Sequence, residues 1–275
     1  MARPTISTFM ICLNEAALIG ASLRSVAFCD QIVVVDSGST DGTRELVAGL
    51  IAQGLPIEWH ERAWPGYAAQ KQWALERCTG DWCLNLDADE VAASGFEAAL
   101  WPALETALEA GADLVRVMGR FALHGVGLPP RGVAPWPLRR IHRRGTGRYD
   151  LATTVHEHLI VEGKTITARG LELHDMRALP AHEMAAKWLR YADLKARGLH
   201  ARGVRPRPLK RLFNPLYAFG RDYLVRRYAL AGWAGLEQAS TRALYARMTE
   251  VRLMELWREG ADPCIGTDDA AGGAP

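Results

Sequence analysis

Apolar residues run almost unbroken through Thr5–Leu13 and Gln31–Asp36, and again through Trp82–Leu86 and Asp113–Met118. Between them, Ala16–Val26, Thr43–Ile51, Tyr67–Arg77 and a stretch near Gly95–Ala110 repeat their apolar positions at three- and four-residue spacing. Short apolar runs bounded by turn residues predict strands buried on both faces, and the wider spacing predicts amphipathic helices. Pro56–His60 adds a short extended segment, and Thr79-Gly80 ends the third helix. Strands alternating with helices predict an α/β fold whose mostly parallel central sheet is covered by helices on both faces.

The alternation breaks from Gly119 to Pro137, a Gly/Pro-rich stretch that reads as a loop. Leu138–His142 and Thr153–Val161 follow as expected strands of a mixed or antiparallel edge. After Asp175 the pattern turns helical: Met184, Trp188, Tyr191 and Leu194 recur at helical spacing, as do Leu244, Met248, Val251 and Met254. The end, Thr267–Pro275, is small, acidic and Gly-rich. The expected organisation is therefore a catalytic or binding domain over 1–176, a helical extension over 177–258 and a disordered tail over 259–275.

Composition agrees with a folded core: of 275 residues 49% are hydrophobic and 23% charged. The formal net charge of +2 hides an asymmetry, because residues 1–176 carry −5, residues 177–258 carry +11 and the last segment carries −4. No apolar run reaches the ~18 residues that argue a membrane span. Five Cys without a C-x-x-C pair fit neither a disulfide framework nor a zinc module, so the buried-looking cysteines point to a reducing cytoplasm.

Two strand ends carry candidate chemistry. Gln31–Val35 runs into Asp36-Ser37-Gly38-Ser39-Thr40-Asp41-Gly42-Thr43. Ligands of open α/β sheets bind at such carboxyl ends, where an Asp can accept hydrogen bonds from a ribose or a base. Ser39 and Asp41 serve equally well as caps of the next helix. The second strand end is Leu84-Asn85-Leu86-Asp87-Ala88-Asp89-Glu90. Two carboxylates one residue apart can present hard oxygen ligands to a divalent cation that also bridges a diphosphate. Without a cation such crowding raises carboxylate pKa values.

The order T-F-M-I-C-L-N-E, I-V-V-V-D-S-G-S-T-D-G-T, G-Y-A-A-Q-K-Q-W-A-L and W-C-L-N-L-D-A-D-E resembles family 2 glycosyltransferases across about residues 5–91. The resemblance continues more loosely through Val155-His156-Glu157 and Ala231-Gly232-Trp233-Ala234-Gly235. It is similar there to bacterial enzymes that add glucose to the lipopolysaccharide inner core, although Ala231 stands where many of these carry an acid. The resemblance implies a GT-A fold and inverting transfer from a nucleotide-diphosphate sugar, most readily UDP-glucose, to a saccharide or lipid-linked glycan. By position it places Asn14 and Glu15 near the nucleoside, Asp36 on uracil or ribose, and Asp87 and Asp89 toward Mg²⁺ or Mn²⁺ and the diphosphate. Lys71 and Gln70, on the helix after G-Y-A-A, either reach a phosphate or simply face solvent.

Inverting transfer to a hydroxyl needs a general base. Among Asp150, Glu157, Glu162, Glu172 and Asp175, the choice falls on Glu157, within the resembling V-H-E segment. His174 is either a third ligand to the metal or phosphate, or a structural histidine. A polyprenyl-phosphate acceptor would need no base, and a non-catalytic nucleotide-sugar binder is the remaining alternative. In the basic extension, Arg205-Pro206-Arg207-Pro208, Lys210-Arg211 and Arg226-Arg227 alternate with Leu212, Phe213, Leu216, Tyr217, Phe219, Tyr223 and Tyr228. Such a mixture suits peripheral attachment to an anionic membrane at the cytoplasmic face, against a plainer reading in which these aromatics pack between helices. Nothing in it resembles a nucleic-acid-binding motif.

Overall fold

The computed structural model describes residues 3–151 and 159–260. They form two compact units that divide between Ala178 and Leu179. The first unit thus runs two residues past the expected boundary and takes in Arg177.

The first unit is built on an eight-stranded sheet. Its strands are β1 (Ile6–Cys12), β2 (Gln31–Asp36), β3 (Ile57–Glu61), β4 (Trp82–Asn85), β5 (Glu90–Ala92), β6 (Ala112–Phe121), β7 (Trp136–Arg143) and β10 (Lys164–Asp175), in the order β3-β2-β1-β4-β7-β6-β10-β5. β1 is parallel to both β2 and β4, and β2 is parallel to β3. β7 then runs antiparallel between β4 and β6, β10 parallels β6, and short β5 closes the edge antiparallel to β10. The Leu138–His142 segment, expected at an edge, lies inside the sheet, because β7 returns alongside β4. Strands β5 and β10 carry no strong strand pattern of their own. Lys164–Asp175 is polar along most of its exposed face and meets the core mainly through Leu171 and Leu173. A small antiparallel pair, β8 (Gly147–Tyr149) and β9 (Leu159–Val161), stands apart. The remainder of the expected Thr153–Val161 strand lies outside the described residues.

Strand alternation feeds two cores. Ile6, Met10 and Cys12 of β1 and Ile32 and Val34 of β2 face helices α1 (Ile19–Ser25), α2 (Thr43–Ala52) and α4 (Phe96–Glu109). Phe9, Val33 and Val35 face the other way, toward α3 (Tyr67–Leu75), Tyr149, Leu159 and Val161. Burial on both sides is why these strands read as continuous apolar runs. Cys12, Cys29, Cys78 and Cys83 are free and buried.

The second unit consists of α5 (Ala181–Ala201), α6 (Pro208–Gly220), a π-helical turn (Arg221–Val225), a 3₁₀ turn (Tyr228–Ala231) and α7 (Gly232–Glu259), with α5 and α6 packed on α7. Glu259, placed by sequence in the tail, ends α7, and 261–275 lie outside the described residues. Small residues make the contacts: Ala192 and Ala196 of α5, Ala218 of α6, and Gly235 and Ala239 of α7 are buried. A Cβ on Gly235 would lie 1.8 Å from the Tyr228 carbonyl oxygen, so only glycine admits this approach. No helix among the described residues is long and apolar enough to cross a membrane.

Candidate active site

The carboxyl ends of β1, β2 and β4 lie side by side because these strands are parallel neighbours, and three clusters of side chains gather there. The first knits the β1–α1 and β2–α2 loops together. Asp36, 3% exposed, accepts the Gly38 and Ser39 backbone N–H at 2.9 and 2.8 Å on Oδ2 and the Ser39 hydroxyl on Oδ1. Gly38 makes this turn possible at φ 101°. Asn14 takes the left-handed conformation at φ 56°, which Asn tolerates. Its N–H donates to Ser39 Oγ at 2.8 Å and its Oδ1 accepts the Thr40 N–H at 2.8 Å. Asp41 accepts from Thr43 N and Ala16 N, both at 3.1 Å. It thus takes the first N–H of α2 from one residue before the Gly42 N-cap while tethering the neighbouring loop, and its hydrogen bond from the Thr43 hydroxyl lowers the carboxyl pKa. Gln70, fully buried on α3, braces this floor by donating to Ser37 Oγ and the Arg62 carbonyl, each at 3.2 Å. Gln70 is therefore a structural bracket and does not face solvent.

The second cluster surrounds Asp87. Lys71 also leaves solvent: it is 5% exposed, and its Nζ lies 2.9 Å from Asp87 Oδ1. Arg140 of β7 approaches from the other side, 2.7 Å from Asp87 Oδ2 and 2.5 Å from Glu90 Oε1, and also donates to Asn85 Oδ1. Desolvation works to raise the Asp87 carboxyl, but the Arg140 and Lys71 charges outweigh it and hold the group well below the usual carboxylate range. Glu90, 3% exposed, is pushed up to about 7 by burial and by Asp87, against the pull of Arg140.

The third cluster joins the other acid of the D-x-D to the β1–α1 loop. Arg177 Nε lies 2.7 Å from Asp89 Oδ2, and its Nη2 donates to both carboxylate oxygens of Glu15. Glu15 is fixed from behind, its N–H donating to Thr43 Oγ1 at 2.9 Å. Burial raises the Glu15 carboxyl, and Arg177 opposes the rise.

Sequence reasoning missed Arg140 and Arg177. Arg140 left little signal, because its strand, Trp136–Arg143, carries three Arg and nothing local tells which of them turns inward. Arg177 left none, because its partners lie 88 and 162 residues away. His174 pairs across the sheet with Val91, and its Nε2 lies 3.5 Å from Glu172 Oε2. The expected ligand set of Asp87, Asp89 and His174 is thus not assembled: Asp87 is held between two cations, and among the described residues no three His, Cys, Asp or Glu side chains group as a metal site. Asp89 and Glu15, converging on one guanidinium, still offer two carboxylates that fit a divalent cation in its place. Glu157 lies outside the described residues.

Strand ends that gather backbone turns, six carboxylates and three cations can take a ligand that is both anionic and rich in hydroxyls. Comparison with known proteins agrees. Residues 7–148 match the family described as Glycosyl transferase family 2. Lipopolysaccharide core biosynthesis glycosyltransferase LpsC of Rhizobium meliloti (strain 1021) is 40% identical over 267 residues, covering 96% of this chain and 97% of that protein. An uncharacterized glycosyltransferase of Rickettsia bellii is 26% identical, covering 91% and 86%. In fold, the chain is similar to mannosyltransferase PcManGT of Pyrobaculum calidifontis, solved with GDP-Man and Mn²⁺, with a TM-score of 0.58 at 18% identity over 94% of this chain and 89% of that one.

Proposed function

Because the chain belongs to glycosyl transferase family 2 and is a glycosyltransferase of GT-A-like fold, we propose that it transfers glucose, with inversion, from UDP-glucose to a saccharide or glycolipid acceptor of the lipopolysaccharide core. The donor half rests on one observation: the D-x-D acids and Glu15 meet Lys71, Arg140 and Arg177 at adjoining strand ends. The acceptor half rests on the relative named for lipopolysaccharide core biosynthesis.

The nucleoside lies over the Asn14–Glu15 and Asp36–Asp41 loops, whose hydrogen bonds to one another keep them in one shape before the donor arrives. Lys71 and Arg140 hold Asp87 ionised and in place. Arg177, a third exposed, is the cation best able to turn from Asp89 and Glu15 toward the diphosphate. A divalent cation, Mg²⁺ or Mn²⁺, held by Asp89 and Glu15 would supply Lewis-acid charge for the leaving group. Glu157 takes the acceptor hydroxyl proton as that oxygen bonds to the anomeric carbon. The bond from that carbon to the diphosphate breaks, and its electron pair leaves with the UDP.

The test is thermal stabilisation by a panel of nucleotide sugars with and without Mg²⁺ or Mn²⁺, followed by transfer assays. UDP-glucose should stabilise most, and a panel without effect overturns the donor assignment. Glu157→Gln should lower transfer about 10²- to 10⁴-fold with donor stabilisation intact. An unchanged rate removes Glu157 and favours an acceptor that is already anionic, such as a polyprenyl phosphate. Asp89→Ala transferring at the wild-type rate at limiting Mn²⁺ removes the metal assignment.

A further inference from the structure

Helix α6 is turned inside out. Its one buried side chain is Ala218, whereas Leu209, Leu212, Phe213 and Leu216, spaced along one helical face, are 70%, 61%, 57% and 63% exposed. The π-helical turn and the start of α7 continue the pattern, with Val225 at 74% and Trp233 at 73%. A helix covered by its own protein keeps its large apolar residues inside. Contiguous exposed apolar surface of this kind marks a binding surface.

The charge around this face limits what can cover it. Between Arg202 and Leu236 there are eight Lys or Arg and one acid, Asp222. Asp222 is 1% exposed and is surrounded by Arg221, Arg242 and Arg226 at 2.7, 3.6 and 3.8 Å. Arg207, Lys210, Arg211 and Arg227 are exposed and pair with no carboxylate among the described residues. A second copy of the face would bring like charges together with no acid to meet them. Phe213 and Trp233 offer a nucleic acid stacking faces, but Leu209, Leu212, Leu216 and Val225 would stay in water against it. A bilayer with anionic headgroups satisfies both halves of the surface at once.

We propose that the face of α6, continued to Trp233, lies in the plane of an anionic lipid surface. Leu209, Leu212, Phe213 and Leu216 enter the acyl boundary, and Arg207, Lys210, Arg211 and Arg227 meet the headgroup phosphates. The aromatics expected at such a surface are thereby divided. Phe213 and Tyr217 face outward, Tyr228 is buried at 2% exposure, and Phe219 stacks on Tyr223 at 5.2 Å. The inference is independent of the donor site, so it can fail while the transferase reading stands.

Co-sedimentation of the full chain with vesicles tests it. Vesicles of phosphatidylcholine mixed with phosphatidylglycerol should bind at least about tenfold more tightly than phosphatidylcholine alone, and salt should weaken that binding. Leu212→Ser combined with Leu216→Ser should lower binding about tenfold or more, leaving donor stabilisation and melting temperature unchanged. Should that variant melt early, Lys210→Glu with Arg211→Glu replaces it and should abolish the preference for anionic vesicles. Equal binding to both vesicle types, binding to neither, or a concentration-dependent dimer that the Leu variants disrupt would each overturn the proposal.

Discussion

Two regions of this molecule are crowded with basic side chains and use them in opposite ways. In the crevice at the ends of β1, β2 and β4, Lys71, Arg140 and Arg177 each lie within 3 Å of a carboxylate, and Lys71 and Arg140 are almost out of water. Along α6 and the turns after it, Arg207, Lys210, Arg211 and Arg227 stand in solvent beside exposed leucines. The difference lies in dielectric environment. A charge withdrawn from water is tolerated only with its counter-charge in hydrogen-bond contact, so removing one partner leaves the other uncompensated. An exposed charge costs little to keep or to lose, and it remains available to an outside partner. Clustered Lys and Arg therefore mark a scaffold in one place and, on the proposal above, a docking surface in the other.

The largest effect that could break this comparison is on Arg140. Arg140→Leu leaves Glu90 buried without its cation and Asp87, a third exposed, with Lys71 alone, and should cost about 3–5 kcal/mol in urea unfolding. A loss below about 1 kcal/mol would put the crevice in the same class as the surface.

His142, two residues along the same strand, sharpens the point because it has no hydrogen-bond partner among the described residues. It is fully buried, packs edge-on to Phe9 at 6.3 Å, and neither ring nitrogen finds a hydrogen bond among the described residues. Burial lowers its pKa from 6.5 to about 4. The folded protein thus refuses a proton that the unfolded chain accepts. This contribution to stability is complete above pH ~6.5 and is lost as pH falls toward ~4, amounting to about 3 kcal/mol. The check is the difference in unfolding free energy between wild type and His142→Phe across that window. It should follow this slope, and a flat difference would mean the ring is protonated in place.

The smallest effect belongs to α6. Lys210→Ala with Arg211→Ala should change stability by less than about 0.5 kcal/mol. A larger loss would show that these cations hold the fold and are not reserved for an outside surface.

Much of the framework was legible along the chain. The doubly buried runs of β1, β2 and β4 announced themselves because both their faces are apolar. The acids of the D-x-D and the Asp36 turn stood out because polar residues abruptly follow apolar strands. β10 and β5 were not legible, since a largely polar strand has no period-two signature to read. Lys71 and Gln70 stood on a recognisable helix, yet their burial depended on which strand ends α3 covers.

The sequence by itself determined the alternation of elements, the strand-end acids, the family resemblance and the charge imbalance between the two parts of the chain, because each is a local pattern or a count. Tertiary structure alone decided the partners. Arg140 reaches Asp87 because β7 returns antiparallel to β4, and Arg177 reaches Asp89 and Glu15 because β10 ends antiparallel to β5, beside the acids. It also decided which aromatics of the basic segment are buried, Tyr228 within the helical unit and Phe213 outside it. Contacts spanning 53 to 162 residues depend on strand order and helix rotation, and nothing local in the chain encodes either.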